Sequence, residues 1–100
     1  MTFTATKPDR PTTVKDPDAV LDYTWDFQDV LDAGDTIVSC VFTPDPASGL
    51  TVTQQSNTTT ACTAWLSGGI IGSTWGVTCE YTTAAGRKDD RTLYFTVKQR

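Results

Sequence analysis

The stretch "VLDYTWDF" alternates apolar and polar positions. Leu21, Tyr23, Trp25 and Phe27 share one phase; Asp22, Thr24 and Asp26 share the other. A period of two with aromatic residues predicts a half-buried β-strand. The pattern returns in "TWGVTCEYTT" (74–83), where Trp75, Val77, Cys79 and Tyr81 are in phase, and in "RTLYFTVKQ" (91–99), where Leu93, Phe95 and Val97 are. "TIVSCVFT" (36–43) is a continuous β-branched run and reads as a central strand. "LTVTQQ" (50–55) and "TACTAWL" (60–66) read as two more. "PDPASG", "SNTTT" and "SGGIIGS" punctuate them with turn residues. Between the first and second strands, Val30 and Leu31 suit one short helical turn ended by Gly34.

Six strands and a possible seventh, closely spaced and without a helix of ordinary length, predict a β-sandwich, with a five-stranded barrel as the alternative. Residues 1–15 are polar, carry Pro8 and Pro11, and read as an extended arm whose end can pair as an edge strand. Residues 16–100 form the single domain that 100 residues allow.

"TTAAGRKDDRTL" (82–93) joins the last two strands. Ala84 and Ala85 suit a type I turn followed by a left-handed Gly86. The charged run after it then stands at the outer tip, where cross-strand ion pairs contribute under about 1 kcal/mol each. Trp65 is harder to place, because Leu66 beside it competes for the inward position. An exposed aromatic binding face is the alternative to a core role there.

Charge and chemistry narrow the function. The net charge is −4 and the isoelectric point about 4.4, which speaks against nucleic acid. No apolar run approaches the roughly 18 residues of a membrane span, and the first residues lack the apolar centre of an export signal. Synthesis in the cytoplasm is the expectation. Without histidine there is no Ser-His-Asp or Cys-His catalysis, so we expect no enzyme and no cofactor. Cys40, Cys62 and Cys79 form no C-x-x-C pair and read as reduced, buried thiols. Asp16, Asp18, Asp22, Asp26, Asp29, Asp32 and Asp35 make an acidic sector without the order of a calcium loop. Lys7, Arg10, Lys15, Arg87, Lys88 and Arg91 cluster elsewhere. Such polarity suits repeated contacts between copies or partners.

Three stretches carry a resemblance. "KDPDAVLDYTWDFQDVLDAGDTIVSC", "TAWLSGG" and "GSTWGVTCEYTTAAGRKDDRTLYFTV" resemble a family of small Ig-like proteins of tailed bacteriophages and prophages, found among virion morphogenesis genes. The likeness covers residues 15–97. Trp75 stands where that family has a tyrosine. The resemblance implies an Ig-like or fibronectin III-like sandwich of about seven antiparallel strands. It also implies a structural virion protein at the capsid surface, the neck or the tail, with other virion proteins as its partners. The expected contact residues are Lys7, Arg10 and Lys15 of the arm, with Arg87, Lys88, Asp89, Asp90 and Arg91 of the hairpin. A carbohydrate- or receptor-binding module for host attachment is the alternative.

Overall fold

The computed structural model describes residues 2–4, 12–28 and 30–99, with only the backbone of 2–4. Among them are eight strands and no helix: β1 (Thr2–Thr4), β2 (Thr12–Lys15), β3 (Leu21–Asp26), β4 (Ile37–Pro44), β5 (Leu50–Asn57), β6 (Ala61–Gly68), β7 (Thr74–Thr83) and β8 (Lys88–Val97). They form two four-stranded sheets, β1-β3-β6-β5 and β2-β8-β7-β4. The alternating residues of β3, β7 and β8 point into the space between the sheets. Tyr23, Trp25, Phe27, Val77, Cys79, Leu93 and Phe95 are all buried there. Three aromatic pairs span the gap: Tyr23 with Phe95 at 4.7 Å, Trp25 with Phe42 at 4.9 Å, and Phe27 with Tyr81 at 4.2 Å. Each such pair adds about 0.5–1.5 kcal/mol beyond its buried area. An open two-sheet core replaces the barrel alternative.

The lead-in is more structured than an arm. β2 lies parallel to β8, with Thr12 opposite Tyr94 and Lys15 opposite Val97, so sheet pairing begins before residue 16. The expected edge strand is therefore present at 12–15, and β1 adds a second short strand, parallel to β3. Lys7 and Arg10 lie outside the described residues. β8 also starts earlier than the charge pattern suggests. Lys88 already pairs with Thr82, and Asp89 with Tyr81. The connection is a three-residue turn: Gly86 N–H donates to Thr83 O (3.0 Å), Thr83 N–H donates to Arg87 O (2.8 Å), and Gly86 has φ +86°.

All three cysteines are buried and free. Hydrogen bonding among them, led by the bond to Cys40, and burial push Cys62 up to about 12, and they push Cys79 up as well. The same bonding favours a Cys40 thiolate. No cation contributes to any of the three, so we hold to protonated thiols packing as small apolar groups.

Candidate interaction site

Every strand of the sandwich runs between two ends, and the two ends differ in chemistry. At one end stand the 27–36 loop, the β5–β6 turn and the β7–β8 hairpin. Val30 and Leu31 fold over Phe27, whose carbonyl accepts from both their amides (2.9 and 3.1 Å), and both pack on the core. Asp35 ties this loop to the hairpin. Its Oδ1 accepts from Thr36 N–H at 2.9 Å and from Ala85 N–H at 3.1 Å. Its Oδ2 has no partner in hydrogen-bonding geometry, yet the Thr83 hydroxyl still favours the charged form. Desolvation raises the Asp35 pKa, but Thr83 and the two amides outweigh it, and the carboxyl sits below its usual range.

The hairpin charges are placed unevenly. Arg87 pairs with Asp32 across the gap to the loop, both groups well exposed. Arg91 is mostly covered, with 12% of its side chain exposed. It bonds Asp89 at 2.8 Å and donates to Asp90 O at 2.6 Å. Asp32, Arg87, Asp89 and Arg91 line a cleft of about 350 Å³ together with Val30, Leu31, Asp35 and Tyr81. Burial raises the Tyr81 pKa, and the nearby Arg91 opposes it. Lys88 and Asp90 sit opposite Thr82 and Glu80, on the outer side of the sheet. The expected outer tip is thus the turn residue Arg87 followed by strand residues, of which Lys88, Asp89 and Asp90, like Arg87, remain exposed.

Lys15 lies at the other end, and it presents no charge to a partner. It is 1% exposed. Its ammonium donates to Ala19 O (2.7 Å), Gly68 O (2.8 Å) and Asp16 O (3.0 Å), three donors for three acceptors. Burial lowers its pKa, while Asp16 and Asp18 pull the other way. This buried lysine joins the "KDP" and "WLSGG" motifs, which stand 53 residues apart. Around the junction, Val20 (53%), Leu21 (49%), Ile70 (53%) and Ile71 (53%) are exposed. These four exposed apolar residues stand at the same end of the sandwich, Val20 and Leu21 at the start of β3 and Ile70 and Ile71 in the loop after β6; the "GGII" run is the signal for the second pair. Trp65, the fifth large exposed residue on this side, points outward at 37% while Leu66 takes the core.

Among the described residues no group of acidic or cysteine side chains is arranged to hold a metal ion, and Asp29 of the acidic sector lies outside them. No helix there is long and apolar enough to cross a membrane, which says nothing of a β-barrel.

Among the described residues, the regular elements are all strands, with exposed apolar residues at one end and a charged hairpin at the other. Residues 15–96 match the family described as podophage GP4 fiber-tail adaptor protein gp77, and the chain belongs to that family. It is a structural protein of the tailed-phage virion, of a family of tail proteins. No curated protein matches the chain.

Proposed function

We infer that the protein is a non-enzymatic adaptor that joins two virion proteins, one at each end of the sandwich, and that one of them belongs to the tail fiber. The observation that carries this reading is the separation of surfaces. Val20, Leu21, Ile70 and Ile71 stand exposed at one end, and Arg87, Lys88, Asp89 and Asp90 at the other. An apolar cluster of that kind suits a lasting contact, and a charged rim steers and orients a second one. The family description supports the fiber and tail as the two sides. A neck or capsid-decoration role has no such support.

The sandwich reads as Ig-like. The orders β3-β6-β5 and β4-β7-β8 correspond to strands B-E-D and C-F-G of that fold. β1 departs from the pattern by running parallel to β3.

The reading is tested with two variants. Val20→Asp combined with Ile70→Asp alters one end, and Arg87→Glu alters the other. All three positions are exposed, so folding stays within about 0.5 kcal/mol for each change. Each variant is added to tails assembled without this protein, and the retained tail and fiber proteins are measured. Each should lose one partner and keep the other. If both variants retain both partners, the two-ended adaptor is wrong.

A further inference from the structure

We propose that the outer face of the β3-β6-β5 sheet, centred on Trp65, binds an uncharged saccharide ring. The strand register builds the face. Cys62, Ala64 and Leu66 are fully buried, so Thr63, Trp65 and Ser67 face outward. Trp65 has Asp22 directly opposite on β3 and Gln54 directly opposite on β5. Thr63, two residues away, is flanked by Thr24 and Ser56, and Ser67 by Thr51. One indole therefore stands within a lattice of hydroxyl, amide and carboxylate side chains.

The lattice is held in place. The Thr24 and Thr63 hydroxyls bond one another at 2.9 Å, and the Thr53 hydroxyl donates to Trp65 O at 3.4 Å. The other two tryptophans are committed elsewhere. Trp25 is fully buried, and Trp75 packs against the core and donates its indole N–H to Ile70 O at 3.0 Å.

The chemistry selects the occupant. A pyranose offers one face of C–H groups, which lies on an aromatic ring, and a rim of hydroxyls, which need donors and acceptors beside that ring. Gln54 supplies both, and a carboxylate accepts from several hydroxyls at once. The formal charges at the outward strand positions are those of Asp22 and Asp26, both negative. Such a face repels phosphorylated or acidic ligands and admits a neutral polyol. The exposed aliphatic residues Val20, Ile70 and Ile71 hold no position in these three strands, and Leu21 follows the inward phase of β3. The surface around the indole is therefore unlike an apolar protein-docking patch.

Cellotetraose, maltotetraose and chitotetraose are titrated separately into the isotope-labelled protein, following its amide and indole N–H signals. At least one should shift the Trp65 indole together with the Asp22, Gln54 and Thr63 amides, leaving the signals of residues 84–88 in place. Trp65→Ala should weaken that binding about tenfold, while Trp65→Tyr, which keeps a stacking face, should retain most of it. A Trp65 signal unmoved by all three sugars overturns the proposal. So does equal binding by Trp65→Ala. Loss of tail incorporation by Trp65→Ala with no sugar response would instead assign the indole to a protein contact, and would also overturn it.

Discussion

Lys15 shows how one residue can be misjudged from its neighbours. In "VKDPD" it stands beside acidic and turn residues, which is how a surface lysine looks. Its three acceptors are main-chain carbonyls, and one of them, Gly68 O, is 53 residues away. Convergence of carbonyls leaves no trace in side-chain pattern, so the burial was not legible. Lys15→Met should remove all three donors while keeping most of the stem. We expect a loss of about 1–3 kcal/mol, read as a lower urea midpoint with unchanged slope. Asp35 gives a second test. Its folded-state pKa lies below the ordinary carboxylate value. Its contribution is therefore present above that ordinary value and is lost as pH falls through the lowered one. Asp35→Asn should lower stability at neutral pH, and the deficit should disappear as pH falls, flattening the acid side of the profile measured by denaturant midpoints.

At the scale of elements, most strands were legible because one face of each is buried and the other is wet. β3, β7 and β8 alternate for that reason. The start of β8 was not legible. Lys88, Asp89 and Asp90 look like loop residues, yet the turn at 84–86 closes at Thr83 and Arg87 and leaves them in strand register. Among the described residues, β2 covers β8 from Tyr94 to Val97. Among those residues the earlier part of β8 is a sheet edge, and charge at an edge discourages pairing with other chains. The β6 end was also misread as loop, because Ser67 and Gly68 look like turn residues. Gly68 has φ +74°, and an added Cβ would stand 2.7 Å from Gly49 O. Gly86 has φ +86° with open space around it. Gly86→Ala should then cost about 1 kcal/mol, and Gly68→Ala clearly more, because backbone must also move. Thermal unfolding of the two variants side by side checks the order.

For the whole molecule, the all-strand, two-sheet fold was the readable part. The distribution of surface was less so. Hydrophobic residues in turns carry no periodicity, and the exposure of Ile70 and Ile71 at the same end as Val20 and Leu21 follows from where the β6–β7 loop falls in the fold. The hairpin ion pairs explain little of the stability. Arg87 and Asp32 are more than half exposed, and such pairs contribute about 0–1 kcal/mol. Arg87→Ala should therefore shift the unfolding midpoint slightly, even where it abolishes a contact. The same variant measured for stability and for tail assembly separates a folding role from a docking role.

Within their sheet, β2 is the first strand along the chain and β8 the last, and they run side by side in the same direction. Tension applied between Thr12 and the C-terminal end pulls these strands oppositely along their length. The ladder from Thr12–Tyr94 to Lys15–Val97 is then loaded in shear, all rungs at once, instead of peeling one rung at a time. An adaptor of the kind proposed above would gain mechanical resistance from that geometry. Single-molecule stretching from Thr12 and the C-terminus should require higher force than stretching from Thr74 and the C-terminus, which starts at the open Thr74–Thr96 end of the β7–β8 ladder and peels it rung by rung.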